Sequence, residues 1–501
     1  MQGMRLELLI AVVALQLLPI LAVWLWLQSK KKAGADPDAE FSIAGRGLPL
    51  PVVAATLALT ILGAPHIIGI FEMSWDFGAT AIWFGLAHVA ILCVLCLSTG
   101  QWARRLQLTT VPELLERMYS RNVRIATSSV MAGSIFGVLT LEAQGLGVIL
   151  SSMTGWELQF CAVIGGLVGV FYVSLAGMKG AGWMNLINAS VMYVALVLAT
   201  YFIARGLPGG NFDSVQAFFV DSGNGAMLMI FPSLEGVINF ALALALILIF
   251  AMPINQVLLQ TAMSAKTENT VRKALWIAAP VNGIFCVFTL VMGLTAKSLP
   301  EFQALGPKLA APTMLVEMLP TWLTVFLLAS FTGVVLSSFA MVTLAPATIF
   351  SHDIYKRVVN PNASPEEVTR ATRLCILALA AVGICVASFL PPIIASIGWL
   401  LGWMMPIFWL IVVGLFWKRS TTAAIVTLTA AWGTNVLWSV TLVADVLGVP
   451  DMPNTYPILT VTMAVGFLTN IMLPGAVGYF RSEEFSNSQI ERDRTTAAAT
   501  G

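Results

Sequence analysis

Charge is scarce in this 501-residue chain, because Asp, Glu, Lys and Arg together make up only 10% of it. Soluble domains usually carry about a quarter charged residues, whereas 58% of this chain is apolar. So much apolar surface excludes an ordinary water-soluble domain, since only lipid would cover it. The net charge of +1 gives no reason to expect a nucleic-acid partner. The composition therefore predicts an all-α protein in a lipid bilayer.

Residues that build disulfides, metal centres and catalytic sites are also few. All six cysteines lie inside apolar runs, where they are expected as small core residues. Cys93 and Cys96 form a single CxxC pair, which is a poor zinc site without a second ligand pair. No HExxH, GxSxG or paired-Asp motif accompanies the three histidines. The sequence therefore predicts that the protein is not an enzyme.

Long apolar runs are what the chain has in quantity. A membrane-spanning helix needs about 20 apolar residues, and runs of this length predict thirteen spans. The first run is followed, not preceded, by three lysines at 30–32, so we expect a retained helix and not a cleaved signal peptide. The predicted spans are 5–27, 51–71, 79–99, 125–152, 156–177, 183–204, 236–256, 275–296, 321–348, 374–391, 393–417, 421–447 and 456–476.

The positions of the lysines and arginines predict the orientation of these spans. Basic residues concentrate in the cytoplasmic segments of membrane proteins. With the N-terminus outside, all but four of the 26 basic residues fall on the cytoplasmic side, the exceptions being Arg5, Arg205, Lys297 and Lys308. We therefore expect a multi-pass protein of a bacterial-type inner membrane, with its C-terminus in the cytoplasm.

Two of the predicted spans are interrupted by proline. Pro65 lies in the second span between Gly63 and Gly69, and Pro253 lies in the seventh. Proline has no N–H to donate and clashes with the preceding turn, so each helix must kink or unwind there. In transporters such breaks free backbone groups that bind ions and substrate. The spacing of five spans is typical of two inverted five-helix repeats, although simple proline kinks would give the same pattern.

Polar side chains inside the spans are the candidate ligands of such a site. Glu142 and Gln144 lie within the fourth span, and a carboxyl group there must be paired, protonated or in contact with water. His66 follows Pro65 directly, and His88 lies in the third span. We expect these four side chains, with Pro65, to contact a substrate, although each could also be a satisfied core residue.

Three motifs give the chain a family resemblance. Residues 41–49 (FSIAGRGLP) precede the broken second span, Asn255-Gln256 closes the seventh, and residues 348–356 (TIFSHDIYK) leave the ninth. Over about residues 41–420 the chain resembles the sodium:solute symporter family. The resemblance implies a LeuT-type fold divided into an extra N-terminal helix (1–34), a first repeat (35–204), a second repeat (205–420), two peripheral helices (421–480) and a cytoplasmic tail (481–501).

The resemblance also implies a sodium site and sodium as the coupling ion. Its ligands are the backbone carbonyls of Leu59, Leu62 and Val334 and the hydroxyls of Ser337 and Ser338. Asn185 stands where many members of the family carry an aspartate, so the resemblance gives no support for a second sodium and leaves the number of coupling ions open.

The solute is expected to be a small carboxylate or an amino acid rather than a sugar. Leu248 and Ala251 replace the polar residues with which sugar transporters of the family hold their substrates, whereas two imidazoles suit an acidic group. A proton-coupled carrier, an uncoupled carrier and a transporter-like substrate sensor remain alternatives. Besides the solute, the lipid bilayer is the expected partner, and both a monomer and a homo-oligomer are compatible with the sequence.

Overall fold

The computed structural model describes residues 6–29, 37–97, 104–106, 108–390, 393–440, 446–448 and 452–478. The described part is a helical bundle with one short antiparallel sheet, in which β1 (Lys418–Arg419) pairs with β2 (Ala476–Val477). The helices are α1 (Leu6–Ser29), α2 (Pro37–Ile43), α3 (Leu50–Phe77), α4 (Ile82–Leu97), α5 (Val111–Met118), α6 (Arg121–Thr154), α7 (Leu158–Gly206), α8 (Asp213–Asp221), α9 (Leu234–Gly236), α10 (Ala243–Ala251), α11 (Gln256–Met263), α12 (Glu268–Ser298), α13 (Pro300–Gln303), α14 (Gly306–Met318), α15 (Thr321–Ile349), α16 (Pro365–Ala387), α17 (Ile393–Gly402), α18 (Met405–Phe416), α19 (Thr421–Ser439) and α20 (Thr455–Met472).

Eleven helical stretches of the described residues are long and apolar enough to cross a membrane. One of them, Leu50–Cys96, contains the predicted second and third spans, so twelve of the thirteen predictions are represented. The run at 421–447 is not among them, because the threonines and Asn435 of α19 lower its mean hydropathy. Its predicted end at 441–445 lies outside the described residues. The prediction of thirteen spans is therefore not confirmed in number.

The two predicted breaks are present. Helix α3 has a non-helical residue at Gly63, two positions before Pro65. The seventh span passes through a π-helix (Val237–Leu242), α10 and a 3₁₀ turn (Met252–Ile254) before α11 begins. Between the turn and α11, Asn255 is extended, and its side chain accepts the N–H of Val257 as an N-cap. A capped restart of this kind satisfies backbone donors that a break would otherwise expose.

A third helix break, between α17 and α18, was not predicted from the sequence. The predicted span 393–417 consists of two helices, α17 and α18, separated by a turn at Trp403 and Met404. Gly402 ends the first helix, and Pro406 lies in the first turn of the second. Proline is favoured there because its missing N–H is unpaired in any case. Apolar residues continue through the turn, so hydropathy alone does not reveal it.

Close packing places the break of α3 against α6. An added Cβ at Gly145 of α6 would lie only 2.3 Å from the Cβ of Ala64, so the two helices meet at van der Waals distance there. Helix α3 also packs along α12 and α15, and α15 packs along α6 and α7. These contacts bring the broken helix, the fourth span and the ninth span together.

Candidate functional site

A cavity lies between the two helix breaks. Its free space is about 50 Å³ for the centres of water-sized molecules, which is more than a single water needs. Most of its wall is aliphatic or aromatic, with a few polar side chains among them. The residues lining it are Thr60, Ile61, Pro65, His66, Phe84, His88, Ile135, Val138, Glu142, Leu248, Met252, Asn255, Val257, Leu258, Val342, Ile397 and Leu401.

Glu142 reaches the broken helix from α6. Its Oε2 atom accepts the backbone N–H of Ala64 at 2.8 Å, immediately after the break at Gly63. The carboxyl group thus caps the second half of α3 as an N-cap side chain would, although it comes from another helix. Only 2% of the residue is exposed. This contact is the structural alternative for Glu142, a buried carboxyl group that is hydrogen-bonded to a neighbouring helix.

His66 and His88 face each other across the cavity wall. Their ring centroids lie 4.3 Å apart, and both rings pack against Phe84. His88 Nδ1 lies 2.6 Å from the carbonyl oxygen of Phe84, which assigns the proton to Nδ1 and leaves Nε2 as an acceptor in the neutral ring. Neither nitrogen of His66 makes a hydrogen bond to another described residue, although the backbone of Ile61 lies near it. His66 therefore offers both a donor and an acceptor to a ligand.

Two of the predicted sodium ligands, Ser338 and Leu59, meet beside the same break. Ser338 donates to the carbonyl oxygens of Leu59 at 3.3 Å and Thr60 at 3.2 Å. A serine in a helix more often donates to a carbonyl of its own helix. Ser338 instead donates to α3, so its hydroxyl connects the two helices at this point. The Ser337 hydroxyl is fully buried and has no partner among the described residues. Carbonyl and hydroxyl oxygens are the ligands that a hard cation prefers, and the residues present fit a sodium ion.

Three residues predicted for the site, Gln144, Pro253 and Asn185, do not line the cavity. Gln144 is buried but does not line the cavity, because two positions along an α-helix from Glu142 lead to a different face. Pro253 is buried in the 3₁₀ turn behind Met252 and Asn255, which do line it. Asn185 is also outside the wall, and its amide makes no hydrogen bond within the described part of the chain.

Thr60 and Asn255 are site residues that the sequence prediction omitted. Thr60 lies beside Leu59, and its buried hydroxyl has no partner among the described residues. Asn255 was noted as part of a motif but not as a cavity residue. A polar residue next to a predicted break is the signal that would have identified both.

A buried ion cluster lies at the end of the bundle where α5, α6 and the segment that follows α15 meet. Arg124 donates to Asp353 and to Glu116, and Arg357 donates to Glu116 as well. Asp353 also accepts from Thr110 and Ser128, at 2.8 and 3.0 Å. We call this end, with Arg46, Arg117, Arg124 and Arg357, the arginine-rich end. Burial by itself would raise the pKa of the Glu116 carboxyl, but the hydrogen bonds from the two arginines outweigh burial and hold it below its ordinary value.

Contacts beside the arginine-rich end connect α11 to α5 and to α2. Gln256, at the start of α11, donates to the carbonyl of Thr109 at 2.8 Å and accepts the N–H of Val111 at 2.9 Å. Gln260 donates to the carbonyl of Ser42 at 2.7 Å. These contacts therefore hold α11 against the segments on either side of it.

Two lysines contact the C-terminal end of α3. Lys308 of α14 lies 3.7 Å from Glu72 and donates to the carbonyl of Leu390 at 3.2 Å. Lys297 donates to the carbonyl of Trp75 and lies over the Trp75 ring. Burial lowers the pKa of the Lys308 ammonium, and the nearby Glu72 carboxyl opposes that shift. Polar contacts therefore connect the helices at both ends of the bundle. Between them, a mostly apolar cavity lies next to two helix breaks. This arrangement is typical of a membrane transporter.

Comparison with known proteins identifies the class of transporter. Residues 41–430 match the model of the sodium:solute symporter family. The chain is 25% identical to the symporter YidK of Escherichia coli, over 76% of this chain and 69% of that one. It is 23% identical to the sodium/glucose cotransporter of Vibrio parahaemolyticus, over 86% of this chain and 84% of that one.

Solved structures share the fold. A Na+-coupled sialic acid symporter in a substrate-bound outward-open state superimposes with a TM-score of 0.77 at 17% identity, covering 94% of this chain and 99% of the other. Mhp1, a nucleobase-cation-symport-1 transporter, gives a TM-score of 0.54 at 16% identity, with 86% and 93% covered. These similarities confirm the LeuT-type fold that the sequence predicted.

The protein belongs to the sodium:solute symporter family, because the family model covers more than half of the chain. It is a multi-pass membrane protein that couples the movement of a solute to sodium. The members of the family and the structural neighbours are transporters and not enzymes.

Proposed function

We propose that this protein carries a small organic solute into the cell together with sodium, and that both bind at the break of α3. The observation that carries the proposal is the pair of hydrogen bonds from Ser338 to Leu59 and Thr60, which connects α15 to the last turn before the break. The carbonyls of Leu59, Leu62 and Val334 and the hydroxyls of Ser337 and Ser338 would supply the oxygen ligands.

Coupling follows from the position of this ion site next to the solute cavity. Thr60 lines the cavity and also accepts from Ser338, so one turn of α3 is common to both sites. A sodium ion that draws α15 and α3 together would order the break before the solute contacts Pro65 and His66. A ligand shifts a conformational equilibrium only by its differential affinity for the two states, and sodium bridging two helices supplies such a difference.

The wall of the cavity favours a carboxylate or an amino acid over a sugar. Leu248 is part of the wall, and Ala251 lies one turn further along α10. Neither side chain can hydrogen-bond a ring of hydroxyl groups, and unpaired buried hydroxyls are costly. His66 and His88 provide the few polar groups that a small solute needs to fix its orientation.

We also propose the orientation and the division of the chain that the sequence predicts. The arginine-rich end would face the cytoplasm of a bacterial cell, by the positive-inside rule. Residues 35–204 and 205–420 would form the two repeats, with the break of α3 in the first and the break before α11 in the second.

Removing the Ser338 hydroxyl tests the sodium site. We expect Ser338→Ala to raise the sodium concentration for half-maximal uptake about tenfold, since one ligand interaction of this kind contributes about 1.4 kcal/mol. Uptake into proteoliposomes at varied sodium measures this. Ser330→Ala is the matched control on the same helix, because the Ser330 hydroxyl is buried but donates to its own helix at Phe326. Uptake by the parent that does not depend on sodium but follows a pH gradient would favour the proton-coupled alternative.

Substitution of His66 tests the solute site. Since both ring nitrogens are free to bind a ligand, we expect His66→Ala to weaken solute binding about tenfold, the cost of a lost hydrogen bond in a buried site. His66→Gln keeps a donor and an acceptor and should weaken binding less than threefold. Binding is measured by calorimetry at saturating sodium.

The control for His66 is His352→Gln at the arginine-rich end, where Nε2 lies 3.0 Å from Asp38. It should leave solute affinity at the value of the parent. A solute recognised by its negative charge would instead bind the parent better at acidic pH and lose most affinity in His66→Gln. If both His66 variants bind like the parent, His66 is a core residue.

A further inference from the structure

The anion-binding position at the break of α3 is already filled by a side chain. The N-terminus of a helix carries partial positive charge and unpaired N–H groups, and it commonly binds a substrate carboxylate. Here Pro65 contributes no N–H, and the Ala64 N–H is donated to Glu142 Oε2. An added Cβ on Gly63 would lie 2.1 Å from Glu142 Oε1, so both carboxyl oxygens lie against the break. A solute carboxylate cannot occupy the same position.

The described wall of the cavity includes one acidic residue but neither lysine nor arginine. Of the described residues that line it, Glu142 is the only one of the Asp, Glu, Lys and Arg type. The Glu72–Lys308 pair is not part of the wall. An ammonium group next to Glu142 would pair with its carboxyl group and favour the ionised form, whereas a second carboxylate in that position would leave the buried acid without a cationic partner.

Among the other polar groups of the wall, His88 offers an acceptor, and His66 and Thr60 can both accept and donate. His88 gives its Nδ1 proton to Phe84, which leaves Nε2 as an acceptor in the neutral ring. Asn255 uses its Oδ1 to cap α11, and its Nδ2 lies 3.7 Å from the Met252 sulfur. Thr60 has a hydroxyl without a partner among the described residues. A solute that donates hydrogen bonds therefore matches this cavity.

We propose that the solute presents a protonated amine to Glu142, which makes it an amino acid or a small organic amine and not a plain carboxylate. This inference rests on the proposed function. Of its solute class it keeps the amino acids and excludes plain carboxylates, and it adds small organic amines. An ammonium group supplies three donors to a carboxylate and forms the stronger, charge-assisted hydrogen bond. If the solute is an amino acid, its carboxylate would lie toward His66, away from Glu142.

Matched ligands test the inference on the parent protein. Thermal unfolding of the purified protein in nanodiscs with 150 mM sodium would be measured against the proteinogenic amino acids, their des-amino carboxylates and their decarboxylated amines. We expect at least one amine-bearing compound to stabilise the protein, and its des-amino counterpart to bind about 10- to 100-fold more weakly, the range of a hydrogen bond to a charged group. Stabilisation by carboxylates without an amine, or by no amine-bearing compound, would overturn the inference.

A variant locates the effect at Glu142. Glu142→Gln keeps a carbonyl oxygen for the Ala64 N–H but removes the negative charge, so the amine should lose its 10- to 100-fold advantage. Glu317→Gln, at an exposed position of α14, should keep it. Equal amine preference in Glu142→Gln and the parent would contradict the assignment.

The effect of sodium without a solute distinguishes a failure of this inference from a failure of the proposed function. If sodium stabilises the parent against potassium and the ligand panel fails, the inference is wrong and the proposed sodium site stands. If sodium neither stabilises the protein nor drives uptake, the proposed function itself fails.

Discussion

Gly63→Ala is expected to reduce sodium-dependent uptake about 100-fold. The added Cβ would lie 2.1 Å from Oε1 of Glu142 and 2.9 Å from its Cδ, distances that no real contact allows. Because the carboxyl group is buried between two helices, it can withdraw only by releasing the Ala64 N–H. Losing a hydrogen bond to a charged acceptor costs about 1.5–3 kcal/mol, and each 1.4 kcal/mol is a factor of ten in binding.

Gly133→Ala on α6 is the matched control, since an added Cβ there meets no atom within 4 Å. Initial uptake rates in proteoliposomes, normalised to the amount of folded protein, would be compared for both variants. The double variant Gly63→Ala with Glu142→Ala tests the cause. If the clash with Glu142 is responsible, adding Gly63→Ala to Glu142→Ala should have little further effect. Normal uptake by Gly63→Ala would show that the break does not depend on this contact.

Arg124→Gln is expected to destabilise the fold by about 3–5 kcal/mol, the usual cost of removing one partner from a buried ion pair. The side chain of Arg124 is only 10% exposed, and that of its partner Asp353 is 0% exposed. Without the guanidinium, Asp353 keeps its bonds from Thr110 and Ser128 but loses its opposite charge. Glu116 loses one of its two arginines. The free energy of unfolding in detergent micelles measures the effect.

The exposed pair Arg105–Glu268 is the control for this prediction. Their nitrogen and oxygen lie 2.9 Å apart, but 52% and 38% of the two side chains are exposed. Arg105→Gln should therefore cost less than about 1 kcal/mol, and high salt should reduce that cost further. Comparable losses in the two variants would contradict the role of burial.

Acid should weaken the same cluster. The folded-state pKa of Glu116 is lowered because the hydrogen bonds from Arg124 and Arg357 outweigh its burial. A lowered carboxyl pKa contributes stability above the unfolded-state value of about 4.3, and this contribution is lost as the pH falls through the folded-state pKa. Arg124→Gln should show a smaller loss of stability over that acidic range than the parent protein.

Local sequence chemistry indicated where the two helices break. Pro65 and Pro253 each remove a backbone N–H and crowd the preceding turn, and the breaks at Gly63 and before Asn255 lie within one turn of them. Proline alone does not decide a break, because Pro280 and Pro346 lie inside helices without a non-helical residue. Apolar run length likewise predicted the long helices, because the bilayer sets one length for all of them. The turn within 393–417 was missed because it is as apolar as its flanks.

The contacts of the candidate site depend on residues that are far apart in the sequence. Ser338 was placed opposite Leu59 only through the family resemblance, since no local pattern connects residues 279 positions apart. The cap of Glu142 on Ala64 spans 78 positions, and the bond of Arg124 to Asp353 spans 229.

The sequence by itself determined that this is a helical membrane protein with two broken spans, because hydropathy and proline act within a few residues. Only the tertiary structure decided that Glu142 fills the end of the broken helix, whereas Gln144, two residues away, does not reach the cavity. The physical reason is close packing. Gly145 lets α6 approach α3 at Ala64, and that approach selects which face of α6, and so which polar side chain, meets the break.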